Sequence, residues 1–200
     1  MAGANDGLEL VLASGSPRRR QLLAEAGIPF TVVAPMLAEP EDLFNRLPPM
    51  QQAEALAYFK ARFVAGSRPN ALILGADTIV ALGAAIMGKP ADDRHAREML
   101  TALSGTRHVV VTGLALLAAD GRRLIASDVT YITMRAIEPR EIDAYVASGE
   151  WIGKAGAYAI QETADKFVER LEGSFTNVVG LPMELLGRMM KEFHERLPAR

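Results

Sequence analysis

Residues 71–82 read ALILGADTIVAL, an apolar run of strand length that carries one carboxylate, Asp77, near its middle. Such a run is typical of a strand buried on both faces of a sheet. A carboxylate inside it is costly to bury unless it is paired, hydrogen-bonded or bound to a metal. An aspartate that only satisfies a neighbouring turn is the alternative, but carboxylates in such surroundings cluster at functional sites. Asp77 is therefore the first functional candidate, and Thr78 is expected on the opposite face of the strand.

Strand and helix patterns alternate on both sides of this run. Further strands are predicted at 8–14 and 30–34, and as a long antiparallel hairpin, 107–119 with 123–135, around Asp120-Gly121. Helices are predicted at 17–27, at 49–66, from Asp92 or Asp93 to Ser104-Gly105, at 139–148 and at 181–197. The pattern predicts an α/β fold with a mixed sheet flanked by helices, in one domain over residues 1–200.

Composition excludes several classes of function. The chain has 22 basic and 24 acidic residues and a net charge of −2, so no basic field recruits nucleic acid or an anionic membrane. It has no cysteine, which excludes disulfides, thiolate metal sites and cysteine nucleophiles. The sequence shows neither a membrane-spanning apolar run nor a signal peptide. We expect a soluble, cytoplasmic protein with no nucleic acid or membrane partner.

The segment SGSPRRR, residues 14–20, is the first candidate anion site. Ser16 and Pro17 are expected to begin a helix, whose free N–H groups and dipole attract anions. Arginines in a first helical turn oppose the dipole unless an anion lies nearby. The alternative is a solvated basic turn, and Arg20 is the arginine most expected to face solvent.

Lys60 is the second candidate, because it interrupts an apolar helical stripe with Leu56 and Phe63. A lysine at such a position either extends its amine from the core edge to solvent, which is the commoner case, or is held in a pocket for an anion.

Two glycine-containing segments add further cations. Residues 83–90, GAAIMGKP, match a phosphate-binding P-loop until Pro90, which has no hydroxyl for Mg²⁺, so we reject that interpretation and keep Lys89 as a cation in a turn. In GEWIGKAGAYAIQ, residues 149–161, Lys154 can meet an anion and Gln161 offers an amide donor and acceptor. A glycine-rich turn into a strand is the alternative for this segment. The three histidines are scattered and show no metal-ligand spacing.

Separated cations, one buried carboxylate and no nucleophile suit a polyphosphate substrate, a carboxylate-held divalent metal and attack by water. A nucleoside triphosphate carries about four negative charges. The candidate lysines and arginines would approximately neutralise it.

The order of these motifs resembles the Maf family over about residues 8–190. The matching motifs are SGSPRR (14–19), Glu39, Lys60-Ala61, GADT (75–78), GKP (88–90), SG (104–105), TG (112–113), GKAGAYAIQ (153–161) and NVVGLP (177–182). The resemblance implies an elongated mixed sheet related to the inosine triphosphate pyrophosphatases, with an active-site cleft between two lobes. It also implies hydrolysis of nucleoside triphosphates to monophosphate and pyrophosphate with Mg²⁺ or Mn²⁺, for nucleotide-pool sanitation, and a possible homodimer.

The resemblance also assigns roles to residues of this sequence. Asp77 resembles the family's general base, and Glu39 an acidic partner that helps to hold the metal. The phosphate-binding groups would be Ser14, Arg19, Lys60, Lys89 and Lys154. Arg18, Thr78 and Gln161 match the substrate-selecting positions of a branch that acts on dTTP, UTP and related modified pyrimidine nucleotides. Glu162 departs from that branch, which usually has glycine there.

Two alternatives remain open at this point. One is a nucleotide-binding regulator of septum formation, for which no general base is needed. The other is a pyrophosphatase with another base preference, such as 7-methyl-GTP, although that branch tends to have Trp, Gln and Glu at the positions of Arg18, Thr78 and Gln161.

Overall fold

The computed structural model of the chain describes residues 8–36, 47–161 and 163–195. The strands are β1 Glu9–Ala13, β2 Thr31–Val32, β3 Ala71–Leu82, β4 Ala85–Met87, β5 Arg107–Leu117, β6 Arg123–Met134 and β7 Val168–Glu172. The helices are α1 Pro17–Glu25, α2 Pro49–Ala65, α3 Asp93–Leu103, α4 Pro139–Ser148, α5 Phe175–Val179 and α6 Met183–Glu195, with 3₁₀ turns at Ala155–Ala157 and Thr163–Phe167.

The strands form one mixed sheet, which confirms the predicted α/β class. In the described residues it has seven strands in the order β2-β1-β3-β5-β6-β7, with β4 also paired to β3. β1 is parallel to β2 and to β3, whereas the pairs β3–β5, β5–β6 and β6–β7 are antiparallel. The predicted hairpin forms between β5 and β6, with Leu117 opposite Arg123 at its closed end.

Helices cover both faces of the sheet. On one face the larger core packs leucines, methionines and aromatic residues of α1, α3, α4 and α6 against β3, β5 and β6. On the other face α2 packs through its small residues, with Ala57 and Ala61 fully buried against Ile73 of β3 and Ala115 of β5. None of the helices in the described part of the chain is long and apolar enough to cross a membrane.

One edge of β3 is left open in its middle. β5 pairs with one edge of β3 from Ile73 to Ala81, so β1 and β4 both pair with the opposite edge. β1 pairs with residues 71–75 and β4 with residues 80–82. Within the described residues no strand pairs with residues 76–79 on this edge. Because β1 ends there and the chain turns into α1, the edge opens into a cleft beside Asp77.

Several local predictions are corrected. The second strand is only Thr31–Val32, not 30–34, and the last helix begins at Met183 rather than at 181. It is described as far as Glu195, and the predicted end at 197 lies outside the described residues. For the glycine-rich segment at 149–161 the alternative, a turn leading directly into a strand, does not hold in the described residues: the segment forms turns, with Gly153 and Gly156 at positive φ angles of 72° and 70°. The strand follows later, as β7, and neither β7 nor α5 was predicted.

Candidate active site

A cleft of about 600 Å³ lies beside the open edge of β3. Its lining comes from the turn between β1 and α1, from α2, from the middle of β3, from the turn after β4, from residues 152–155 and from the end of α5. Eight of the predicted site residues lie together in this lining: Ser14, Arg18, Arg19, Lys60, Asp77, Thr78, Lys89 and Lys154. These residues are far apart in sequence, and the sheet topology brings them to one place.

Two predicted site residues are not part of this group. Gln161 is exposed and does not line the cleft, although its neighbour Ile160 does. Glu39, the predicted metal ligand, lies outside the described residues, as does Glu162.

Asp77 and Lys60 form an ion pair at the base of the cleft. The Nζ atom of Lys60 lies 2.5 Å from Oδ1 of Asp77, and each side chain is only 12% exposed. The pair explains both sequence anomalies at once, since each otherwise costly charge in an apolar element neutralises the other. Lys60 therefore does not simply extend to solvent. Phe63, which was expected in the same buried stripe, is instead 51% exposed.

Two glycines allow α2 to approach close enough for this pair. Gly75 lies two residues before Asp77, and a Cβ atom built there would be 2.1 Å from the main-chain oxygen of Ala57. Gly113 of β5 is the register partner of Asp77, and a Cβ atom there would be 2.3 Å from the main-chain carbon of Ala53. Any side chain at either position would push α2 away from the sheet. The glycines of the motifs GADT and TG thus set the distance between Lys60 and Asp77.

Arg19 is held on the other side of β3 by three segments of the fold. Its Nε donates to the main-chain oxygen of Gly180 at 2.8 Å, Nη1 to the hydroxyl of Ser14 at 3.0 Å, and Nη2 to the hydroxyl of Thr78 at 3.1 Å. Arg19 is only 9% exposed, whereas Arg20 is exposed, as predicted. Three directed bonds fix the plane of the guanidinium group at the wall of the cleft.

The start of α1 differs from the prediction in one detail. Ser16 occupies the N-cap position and Pro17 follows it, but the Ser16 side chain makes no capping bond. The hydroxyl of Ser14 instead accepts from the main-chain N–H of Ser16 at 3.2 Å. Ser14 therefore links the helix start to Arg19, in addition to lining the cleft.

Lys89 and Lys154 lie on two segments that are joined by a main-chain hydrogen bond. The main-chain N–H of Gly156 donates to the main-chain oxygen of Gly88 at 3.1 Å. Lys154 is half-buried and donates to the main-chain oxygen of Glu150, and Lys89 is exposed at the cleft. Residues 85–87 are a strand and, as predicted, no helix follows directly, so this is not a P-loop.

The apolar wall of the cleft was not predicted from the sequence. It consists of Val80, Val110, Tyr158, Ile160 and Val179. These residues carry no chemical signal of their own, and only the topology brings them together.

Behind this wall the hydroxyl of Tyr158 lies 2.7 Å from Nε2 of His108, and the two rings meet edge to face. His108 is 2% exposed, and burial lowers its pKa to about 4, so the ring is neutral at physiological pH. Burial also raises the pKa of Tyr158. The pair is a neutral support for the wall.

The charges in the cleft favour an anionic ligand. Five cationic side chains line it, and Asp77 is the one acidic residue in the described part of its lining. The described residues hold no group of three or more His, Cys, Asp or Glu side chains that could bind a metal alone. Asp77 is the described carboxylate that could hold a divalent cation together with a phosphate ligand. The fold and cleft define an α/β protein whose cationic cleft, with one carboxylate, has the charges that a phosphate-rich anion requires.

Comparison with known proteins identifies the family. Residues 9–193 match the Maf-like protein family, and the chain belongs to it. The chain is 45% identical over 186 residues to the dTTP/UTP pyrophosphatase of Pelotomaculum thermopropionicum, and this alignment covers 92% of this chain and 96% of the relative. It is 44% identical over 186 residues to the dTTP/UTP pyrophosphatase of Moorella thermoacetica, an alignment that covers 92% of this chain and 95% of the relative. Among solved structures, a nucleoside-triphosphatase / dITP/XTP pyrophosphatase from Mycobacterium abscessus matches with a TM-score of 0.40 at 15% identity, over 64% of this chain and 73% of that one.

Proposed function

We propose that this chain is a nucleoside triphosphate pyrophosphatase that hydrolyses dTTP and UTP to the monophosphate and pyrophosphate. The observation that supports this most directly is the cleft in which Lys60 holds Asp77 among Arg19, Lys89 and Lys154. Such a site offers several positive charges to a triphosphate, which carries about four negative charges. The family relatives named above carry the same activity in their names. A role in nucleotide-pool sanitation follows from this chemistry.

The residues of the cleft divide the reaction between them. Asp77 accepts a proton from a water molecule as the water oxygen attacks the α-phosphorus. The bond from that phosphorus to the bridging oxygen breaks, and pyrophosphate leaves with the electron pair. Ser14, Arg19, Lys60, Lys89 and Lys154 bind the phosphates, and the cations stabilise the negative charge that develops on the leaving group. Lys60 contacts Asp77 directly, so the same lysine both binds phosphate and contacts the proposed general base.

A divalent cation, Mg²⁺ or Mn²⁺, is part of the proposal, and the donor set fits it. Mg²⁺ is usually bound through one or two carboxylates and the substrate's phosphates, not by a cage made entirely of protein. Asp77 supplies one carboxylate in the described cleft, and Glu39 is the proposed second one. When bound, the ion would neutralise phosphate charge and polarise the phosphoryl group.

Base preference is proposed to depend on Arg18, Thr78 and Gln161. Arg18 and Thr78 lie in the cleft lining next to the phosphate-binding groups. Gln161 is exposed beside Ile160 of the apolar wall, so it could reach a base that extends along this wall. Its amide carries a donor and an acceptor, which complement the adjacent N3–H and carbonyl of uracil or thymine.

The wider organisation is also proposed. One sheet receives strands from most of the described chain, which supports a single domain over residues 1–200. The cleft is lined both by the β1–α1 turn and α2 and by the turn after β4 and Lys154, which supports the two lobes that the family resemblance implies. A homodimer and a cytoplasmic location, where the substrate pool lies, complete the proposal.

The test is product analysis of the purified chain with UTP and dTTP in the presence of Mg²⁺ or Mn²⁺. We expect monophosphate and pyrophosphate in equal amounts, and a loss of at least about 100-fold in kcat for Asp77→Asn. Asp120→Asn, at the exposed hairpin turn, is the matched control and should keep full activity. Tight nucleotide binding without turnover would favour a regulatory nucleotide-binding protein.

A further inference from the structure

A buried chain of hydroxyl groups runs from the cleft along one face of the sheet. Arg19 Nη2 contacts the Thr78 hydroxyl at 3.1 Å, and Thr78 contacts the hydroxyl of Thr112 on β5 at 2.9 Å. Thr112 in turn contacts the main-chain oxygen of Asn177 in α5 at 2.9 Å. Thr112 and Asn177 are 0% exposed, and neither lines the cleft. Thr112 can therefore influence a ligand only through other residues.

Counting protons fixes the direction of every bond in this chain. A carbonyl oxygen only accepts, so Thr112 must use its single hydroxyl proton on Asn177. In the contact between the two threonines Thr112 is then the acceptor and Thr78 the donor. A guanidinium only donates, so the oxygen of Thr78 accepts from Arg19. The order is Arg19 to Thr78 to Thr112 to Asn177, and each hydroxyl has one orientation.

Asn177 fixes the far end of the chain. Its Nδ2 donates to the main-chain oxygen of Val110 at 3.0 Å and to the hydroxyl of Thr130 at 2.9 Å. The same short helix ends at Gly180, whose main-chain oxygen accepts from Nε of Arg19. The α5 segment thus carries the acceptor for the Thr112 hydroxyl and the acceptor for Nε of Arg19.

We propose that Thr112 is a positioning residue for Arg19. By accepting the proton of Thr78, it keeps the Thr78 oxygen directed at the guanidinium and so sets the geometry with which the cleft binds a polyphosphate. Without the Thr112 hydroxyl, the Thr78 proton loses its acceptor, and it can turn towards Arg19 and oppose the N–H group there. The inference rests on the proposed function only in taking a polyphosphate as the ligand.

The chain offers a matched control for a purely structural effect. Thr130 on β6 is also 0% exposed, and it also bonds the α5 segment, through the main-chain oxygen of Ser174 at 3.0 Å. It contacts neither Thr78 nor Arg19 among its described bonds. Thr130→Val removes a buried hydroxyl that attaches α5, including its bond from Nδ2 of Asn177, and keeps the hydroxyl of Thr112. It therefore measures how much a weaker attachment of α5 alone changes ligand binding.

The experiment measures the affinity of the full-length chain for inorganic pyrophosphate by calorimetry, and KM and kcat for UTP. All measurements are made at a temperature below the thermal unfolding midpoint of every variant. We expect Thr112→Val to weaken pyrophosphate binding about tenfold and to raise KM for UTP by a similar factor. Thr130→Val should change both by less than about twofold despite a comparable fall in Tm, and Thr112→Ser should restore binding. If the valine variant does not fold, Thr112→Cys, with its weak donor and acceptor, replaces it.

Equal effects of Thr112→Val and Thr130→Val on pyrophosphate affinity would overturn the proposal, and so would a wild-type chain that binds no pyrophosphate. Failure of the proposed function gives a different result. In that case the wild-type chain binds pyrophosphate and responds to Thr112→Val, but releases no pyrophosphate from UTP.

Discussion

Lys60→Met tests the ion pair at the base of the cleft. The variant keeps the length and apolar stem of the side chain but removes the ammonium group that lies 2.5 Å from Asp77. At an effective dielectric constant near 20 the gross attraction at this distance is about 7 kcal/mol. Desolvation of the two charges offsets most of it, yet leaving one partner of a buried pair alone costs about 3–5 kcal/mol. Since both side chains are 12% exposed, we expect the lower value, about 3 kcal/mol.

The assay is thermal and urea unfolding of Lys60→Met, Asp77→Asn and the double variant. A loss of about 3 kcal/mol corresponds to a fall in Tm of about 6–12 °C for a chain of this size. The double variant should regain much of this stability, because it leaves no isolated charge, and a coupling free energy of about 2 kcal/mol is expected. Lys191→Met, at an exposed position on α6, is the control and should change little.

An unchanged or higher Tm for Lys60→Met would refute this reasoning. It would mean that Lys60 only extends its amine towards solvent, because replacing such a lysine with methionine makes the helical stripe continuously apolar. Additive effects in the double variant would also count against the pair.

Three further predictions follow from other parts of the site. Gly113→Ala should lower the free energy of unfolding, measured in urea, by about 1–3 kcal/mol and should reduce kcat, because the new methyl group displaces α2 and Lys60. Gly187→Ala in α6 is the control: it has open space around it and should instead raise the free energy of unfolding by about 0.5–1 kcal/mol. His108 has its pKa lowered to about 4, so the unfolded chain binds a proton between pH 6.5 and about 4 that the folded chain does not. Stability is then complete above pH 6.5 and falls by up to about 3 kcal/mol towards pH 4, and His108→Gln should remove this dependence in urea midpoints at pH 5 and 7.5. Gln161→Glu should reduce kcat/KM for UTP about 5- to 150-fold relative to 7-methyl-GTP, because a carboxylate repels the pyrimidine carbonyl; an equal loss for both substrates would contradict its role in base selection.

The fold class could be predicted because the decisive signals are local. The apolar run at 71–82, the hairpin turn at Asp120-Gly121 and the proline at the start of α4 each specify an element independently of the rest of the chain. Strand β7 and helix α5 were missed because their short segments depend on contacts with distant residues. Asn177, for example, attaches α5 through Val110 and Thr130, which are more than forty residues away.

The site was predicted in part for a similar reason. Asp77 and Lys60 stand out because each is a charge in an apolar pattern, and the structure places them in contact. The purpose of Gly75 and Gly113 was not visible, since a strand glycine acquires meaning only from the helix that packs on it. Thr112 carries no signal in the sequence beyond its place in the TG motif, because the role of a buried threonine depends on which groups its hydroxyl contacts.

We expect the cleft around Asp77 to cleave a triphosphate between its α- and β-phosphates. The most direct measurement incubates the purified chain with UTP and Mg²⁺ in ¹⁸O-labelled water and analyses both products by mass spectrometry. Attack of water on the α-phosphorus gives one labelled oxygen in UMP and none in pyrophosphate, and turnover is lost in Asp77→Asn. Release of UDP and phosphate, label in the pyrophosphate, or undiminished turnover in Asp77→Asn would contradict it.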